Sequence, residues 1–506
     1  MILLVHKDDL VVEIIDLRTN QSLESTFKPP AQALFNLAKH NKERILVWCH
    51  QSQRDYLNIE GFKTSFYLKN MMLSFSKNQY LPEQIGYVED SPFLKINNNV
   101  KYPTWLMSSE VGAIHASQLI KFESVVNIKN TFNFVLNSIA KIGMPNGLFC
   151  YSEPKLLTEY ISISEEKKAS ISELFKFVKY HYKGIWSFLL CFNFLVHEKK
   201  FPLLAFLKTI FIKRKNKKLE FDLKPINVST IDAKKTIDVI IPTLGRKKYL
   251  LDVLQDLSKQ TLLPKQVIIV EQNEDKHSES ELEYISTISW PFKIVHKFIH
   301  QCGACNARNM ALKLTTADYI YLADDDNKFH DNLLKDIMHN MLYFGFKSIA
   351  MSYLQKNEVE KHKNVVQWSA FGGGSSVISS KYLKDVAFNM VYEFGYGEDT
   401  DFGMQLRNLG ADVIYMPFIK ILHLKAPIGG FRTKFIHPWE KDKLQPKPSP
   451  TVMHFRMNHT TKQQLQGYKT TLFLKFYKSQ NVKNPFKYYN IFKKQWKQSI
   501  LWVNQL

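Results

Sequence analysis

IDVIIPTLGRKKYLLDVLQDLSKQ, residues 237–260, sets the fold class of the second half of the chain. Its apolar run up to Pro242 reads as a strand buried on both faces, since continuous apolar residues suit a covered parallel sheet and proline ends the ladder. Leu250, Leu251, Leu254 and Leu257 then recur at helical spacing. Outward from there, QVIIVE (266–271) and KIVHKFI (293–299) read as strands, ACNARNMALKL (304–314) as a helix and YIYLA (319–323) as a strand. Strands alternating with helices over short connections predict an α/β fold with a mainly parallel sheet. In such sheets ligands sit beyond the carboxyl ends of the strands.

Those ends carry polar groups. Thr243 and Arg246 follow the first strand, Glu271, Gln272 and Asn273 close the second, and Asp324, Asp325 and Asp326 follow the last. Three adjacent carboxylates repel one another unless a cation or good donors share the site. A hard divalent ion takes one or two carboxylates and completes its shell with substrate phosphates. The plainer reading is an acidic turn that starts the helix HDNLLKDIMHNM. Further on, GEDTD (397–401) puts Glu398, Asp399 and Asp401 at a helix start, where the dipole favours carboxylates and a base could be fixed. Gly372, Gly373 and Gly374 allow close backbone approach to a ligand, or simply a flexible turn before a strand.

VIIPTLGR, VEQNE, GACNARNMAL, ADDD, FGGGSSVISSKYL and GEDTDFGMQLRNLGADVIY occur in this order between about Thr236 and Arg432. Together they resemble the family 2 glycosyltransferases of the GT-A fold. The resemblance implies inverting transfer of a sugar from a nucleotide-diphosphate donor to a glycan or lipid-linked glycan, with Mn²⁺ or Mg²⁺ at a DXD motif. It implies that Pro242, Thr243, Arg246, Asn273, Arg308, Asp325 and Gly373 line the donor pocket. The acid that reads the base is normally aspartate in this family and is Glu271 here. Asp324 would hold the ribose side or the metal, Asp326 the metal, and His423, in ILHLKAP, would complete the metal site. Asp399 beside Glu398 would be the base. The same resemblance suggests cell-envelope polysaccharide synthesis and a cytoplasmic, peripheral membrane setting.

The rest of the chain is less specific. Residues 1–225 read as a separate α/β domain, 226–235 as a linker, 236–432 as the catalytic domain and 433–506 as a helical, basic extension. TWLMSSEVGAIHASQL (104–119) echoes FGGGSSVISSKYL, so a degenerate copy of the catalytic fold is one reading of the first domain. Lys and Arg exceed Asp and Glu by 68 − 47, or +21, which calls for an anionic partner. The lysines are dispersed and no nucleic-acid module is recognisable, so nucleic acid is set aside and an anionic membrane surface is kept. The runs Ile185–Val196 and Phe201–Ile212 are each too short to span a bilayer. They read either as a buried helical pair or as an interfacial hairpin with the basic tail KRKNKK. MILLVHKDDL lacks the long apolar core of a secretory signal. Five cysteines in 506 residues exclude a disulfide scaffold. Cys302 and Cys305 with His296 and His300 could be drawn as a zinc site, but the glycosyltransferase-like loop accounts for that segment. A nucleotidyltransferase would carry a glycine-rich loop where IPTLGRKKY stands, and a non-catalytic scaffold would not need ADDD, GEDTD and His423.

Overall fold

Two sheets organise the chain, each within its own unit. The computed structural model describes residues 1–24, 26–163, 168–215, 217–226, 234–427 and 435–506. One unit comprises Met1–Asn227 and Thr460–Asn481, the other Val228–His459 and Val482–Leu506. Most of the expected linker and the expected boundary at Arg432 lie outside the described residues. The C-terminal segment is divided between the units rather than forming one extension.

The second unit contains β9 to β17, and the first contains β1 to β8, numbered along the chain. In the second, β9 (Ile237–Leu244), β10 (Gln266–Gln272), β11 (Lys293–Ile299) and β12 (Tyr319–Ala323) lie in the order β11-β10-β9-β12, all parallel. β16 (Ser375–Ser379) joins β12 antiparallel, then come β14 (Ser348–Leu354), β17 (Val413–His423) and the short β13 (Asn327–Lys328). β15 (Val366–Gln367) pairs on β17. Ile240, Ile268, Val270, Ile320 and Leu322 are wholly buried between helices, as a sheet covered on both faces requires. Register sets the site: Thr243 stands opposite Glu271, and Ala323 opposite Ser375.

The three aspartates do not start a helix. They run into β13, which pairs with β17 and puts Asn327 opposite His423; the helix begins only at Leu333. HPWEKDKLQPKPSPTVMHF reads as extended from its prolines, yet Pro450–His459 is helical. Proline is tolerated in a first turn, where its missing N–H would have no partner anyway.

In the first unit, β1 (Ile2–Lys7), β2 (Leu10–Asp16), β3 (Gln21–Ser22), β4 (Ile45–His50), β5 (Met71–Ser74), β6 (Tyr102–Pro103), β7 (Val111–His115) and β8 (Phe149–Ser152) lie in the order β3-β2-β1-β4-β7-β5-β8-β6. The run β1-β4-β7-β5-β8 has the same order and the same strand directions as β9-β12-β16-β14-β17. β6 sits antiparallel on β8 as β15 sits on β17. The first unit thus copies the topology of the second over these strands, and it departs at both edges: β1 takes the antiparallel β2 while β9 takes the parallel β10, and among the described residues no strand pairs with β8 as β13 does with β17. Cys49 stands opposite Val111 as Ala323 stands opposite Ser375. His50, Gln51 and Ser52 therefore occupy the places of the three aspartates, and Glu110 that of Gly374. The Glu110 carboxylate accepts from Ser76 Oγ at 2.6 Å and from Gln53 Nε2 and Tyr160 Oη at 3.4 Å.

QIGYV in this unit reads as strand-like but forms a 3-10 turn, Glu83–Tyr87. The turn packs closely on the helix Lys462–Tyr477, where a Cβ on Gly467 would lie 2.6 Å from the Tyr87 carbonyl oxygen. The two apolar runs form the helices Ile185–Asn193 and Leu203–Leu207, joined through a π turn. Leu190, Cys191, Phe194 and Ala205 enter the core. Among the described residues no helix is long and apolar enough to cross a membrane.

Candidate active site

The first cluster sits where β9, β10 and β12 end. Pro242 carries β9 up to Thr243, whose hydroxyl donates to Asp325 Oδ2 at 2.7 Å. Arg246, at the start of the next helix, pairs with Asp325 and reaches Asp326 at 3.4 Å. Burial pushes Asp325 up to about 6, against the pull of Arg246 and Thr243. Glu271 accepts from Ser280 Oγ at 2.6 Å and from the Glu281 N–H at 3.0 Å, and it contacts His296 Nε2 at 2.9 Å. Asn273 closes a turn through the Asp275 N–H. His296 is thereby engaged with Glu271, and His300 with the Asn273 carbonyl, rather than with the two cysteines. Burial pushes both the Cys302 and the Cys305 thiols up, which disfavours the thiolate a metal needs.

The second cluster is built around Arg308. Its helix, Ala304–Leu312, starts at Gly303 with φ +140°, and Glu393 accepts from the Cys305 and Asn306 N–H groups at 3.0 and 2.7 Å. That cap satisfies two of the first-turn donors and fixes the helix. Arg308, almost fully buried, donates from Nη2 to Asp324 Oδ1 at 3.1 Å, and its Nε has no hydrogen-bond partner. The glycines lie against these groups. A Cβ on Gly374 would fall 2.0 Å from Asp324 Oδ2, and one on Gly373 would fall 2.7 Å from both Arg308 Cζ and Asp399 Oδ1. Here the glycines serve close approach.

Asp399 and Glu398 open the helix Glu398–Asn408. Asp399 Oδ1 is buried without a partner. Burial raises its pKa well above the ordinary aspartate range; the Glu398 charge adds to this and Arg308 pulls back. Asp401 is engaged elsewhere: His459 Nε2 lies 2.7 Å from it, Gln405 donates at 2.7 Å and Tyr392 Oη at 3.3 Å. Of the three acids in this turn, Asp399 is the one with an idle oxygen next to Arg308.

The third cluster joins Asp326, His423 and Tyr353. Asp326 Oδ2 accepts from the Ala426 N–H at 2.8 Å and lies 3.5 Å from His423 Nε2. Burial pushes Asp326 up, but His423, Ala426 and Arg246 together outweigh it and hold the carboxyl below its usual range. The Tyr353 ring stacks on His423 at 4.5 Å, and its hydroxyl donates to Asp324 Oδ2 at 3.0 Å. At 3.5 Å, Asp326 and His423 are further apart than a strong charge-assisted bond of about 2.7–2.9 Å. Arg246 Nη1 lies 3.4 Å from the same Asp326 oxygen. Among the described residues no group of three metal-ligating side chains stands together. Asp324 is turned to Arg308 and Tyr353.

Residues 238–395 match the model of glycosyl transferase family 2. The chain carries a family 2 glycosyltransferase domain. The mixed α/β sheet of this domain has the GT-A architecture expected of that family. The glycosyltransferase GlyG of Streptococcus pneumoniae is 23% identical over 101 residues, covering 20% of this chain and 33% of GlyG. The chain thus spans about a third of that curated relative. Among solved structures, S. aureus TarS 1-349 in complex with UDP-GlcNAc is 16% identical over 48% of this chain and 73% of TarS 1-349, with a TM-score of 0.36. GalNAc-T7 with UDP, GalNAc and Mn2+ is 11% identical over 38% and 44%, with a TM-score of 0.32.

Sequence reasoning reached Arg308, the acids and the glycines of the glycosyltransferase domain. It missed Tyr353, Glu393 and Ser280, which orient those groups. Glu393 lies in the segment VYEFGYGED, and an acid facing the donors of a remote helix leaves no local signal.

Proposed function

We propose that the second unit is an inverting glycosyltransferase that moves a sugar from a nucleotide-diphosphate donor to a hydroxyl of a glycan or lipid-linked glycan. The observation that carries this reading is the Asp399–Arg308–Asp324 cluster, packed against Gly373 and Gly374 within a family 2 domain. Thr243, Arg246, Glu271 and Arg308 bind and orient the donor at the strand ends. Asp326 and His423 would hold a divalent cation, Mn²⁺ or Mg²⁺, whose charge offsets that of the departing diphosphate. Asp399 takes the proton of the acceptor hydroxyl. The acceptor oxygen bonds to the anomeric carbon from the face opposite the diphosphate, the bond from that carbon to the phosphate oxygen breaks, and its electron pair leaves with the nucleoside diphosphate. Burial around Asp399 keeps it basic enough for this task.

A panel of sugar nucleotides, assayed for hydrolysis and for thermal stabilisation with and without Mn²⁺, tests the reading. A donor that stabilises the protein only with Mn²⁺ and is slowly hydrolysed is the expected result. No response to any donor, with or without metal, overturns it.

A further inference from the structure

The hairpin that closes the first unit presents a second kind of surface. Its inner face is core, while its outer face shows Ile185, Phe188, Phe192, Leu204, Leu207 and Phe211 to solvent. Phe211 is 93% exposed, Leu204 75% and Phe188 60%. The two helices meet through Phe188 and Phe206, whose ring centroids are 4.8 Å apart, so the exposed side chains belong to one continuous face. Isolated exposed apolar residues are ordinary, but a contiguous apolar face marks an interaction site.

Charge around the face is sorted by sign. Glu198, the acid between the two apolar runs, is drawn inward, where its carboxylate accepts from Gln84 Nε2 at 2.8 Å and from Tyr87 Oη at 3.0 Å. Lys199, Lys200 and Lys208 are exposed, as are Lys213, Arg214, Lys215, Lys217 and Lys218 beyond the second helix. Among the described residues none of these eight forms an ion pair. A protein partner would need a matched acidic surface, whereas an anionic bilayer offers negative charge over the whole area and an apolar interior for the aromatic tips. Helices of nine and five residues lie on such a surface and cannot cross it.

We propose that the hairpin Ile185–Phe211, with the basic residues at 213–218, is the face by which this protein lies on an anionic lipid surface. The hydrophobic side chains enter the acyl boundary while the lysines and arginine meet the headgroups. This goes beyond the catalytic reading and does not depend on it.

Sedimentation of the full chain with vesicles tests the proposal. It predicts binding to phosphatidylglycerol–phosphatidylcholine vesicles that falls steeply with salt, and little binding to phosphatidylcholine alone. The triple variant Phe188→Glu/Leu204→Glu/Phe211→Glu should lose at least about tenfold in partitioning, because acids then replace the inserted groups. Lys213→Gln/Arg214→Gln/Lys215→Gln should weaken binding and flatten its salt dependence. If the triple variant fails to fold, Phe211→Glu alone serves, since that side chain has almost no native contact to lose. Absence of vesicle binding at low salt overturns the proposal, as does equal binding to neutral vesicles or unchanged binding by the Phe211→Glu variant. A dimer that the triple variant dissociates, without vesicle binding, would instead assign the face to a second copy of the chain. Donor affinity, measured on the same variants, should be unchanged and separates failure here from failure of the catalytic reading.

Discussion

His423 Nε2 stands 3.5 Å from Asp326 Oδ2 because β13 and β17 run antiparallel and bring residue 327 opposite residue 423. If this pair holds a divalent ion, each partner is needed for metal-dependent donor binding. Asp326→Ala should abolish the Mn²⁺-dependent part of nucleotide-diphosphate affinity, and His423→Ala should weaken it by at least about tenfold, the least that loss of even a group supporting a metal ligand costs. Calorimetry with and without Mn²⁺ checks this. An unchanged metal dependence in Asp326→Ala removes the assignment.

Gly374 tests the donor side. Alanine there puts a Cβ 2.0 Å from Asp324 Oδ2, so the carboxylate must leave Arg308 or Tyr353. Hydrogen bonds to charged groups contribute about 1.5–3 kcal/mol each, so donor affinity should fall about tenfold or more. At Gly372 the added Cβ is crowded by the Ser375 hydroxyl at 2.7 Å, a rotor that can turn away, and its next neighbour, Ser376 Oγ, is at an ordinary 3.6 Å. Gly372→Ala should therefore lose less donor affinity than Gly374→Ala. Equal affinities in the two variants would contradict this account.

The parallel strands β9, β10 and β12 were legible because each holds an apolar run ending in polar groups, which is what a doubly covered sheet imposes, whereas the edge strand β11, KIVHKFI, is mixed and only partly buried. The acids and glycines were legible by motif. Tyr353 and Glu393 were not, because their roles come from register and from a helix start far away in sequence. The first unit was legible only as an echo. Its copy of the topology is written in strand order, while its strand ends carry His50, Gln51 and Ser52, which share no motif with three aspartates. The apolar hairpin was left between two readings because one face of each helix is core and the other is exposed.

That difference between the copies makes a prediction about stoichiometry. Glu110, which stands where Gly374 does in the second unit, already accepts from Ser76, Gln53 and Tyr160, and no aspartate follows β4 as three follow β12. A nucleoside diphosphate with Mn²⁺ should therefore bind once per chain, and Asp326→Ala should remove that single event. Titration calorimetry giving two equivalents would show that the first unit also binds the nucleotide.

Glu393 should act on donor binding through a helix. Its carboxylate caps Cys305 and Asn306, at the start of the helix that carries Arg308. Glu393→Ala should cost about 0.5–2 kcal/mol of stability, as loss of a cap does. It should also raise the donor KM more than it lowers kcat, because Arg308 is displaced rather than removed. Thermal melts and steady-state kinetics on the same variant check both parts. A lowered melting temperature with an unchanged KM would confine Glu393 to stability.

Asp399 carries the proton-transfer step, and its pH dependence has a definite sign. Burial, with the Glu398 charge, holds its pKa above the ordinary aspartate value of about 4. A base works only when ionised, so transfer should be low at acid pH and rise with pH through this raised pKa, well above pH 4. Glu398→Gln removes the neighbouring negative charge, so the Asp399 pKa should fall and the acid limb should move to lower pH. Asp399→Asn keeps the shape but not the basic lone pair. Transfer should then drop by about 10²- to 10⁴-fold, the usual share of a general base, while donor affinity stays close to normal. A structural Asp399 would instead show a lower melting temperature with turnover intact in the folded fraction. Pre-steady-state transfer rates across pH, with donor affinity measured in parallel, separate these outcomes. Near-normal turnover in Asp399→Asn would assign the proton to another group, and Glu398 is then the next carboxylate to test, since Asp401 is engaged with His459, Gln405 and Tyr392.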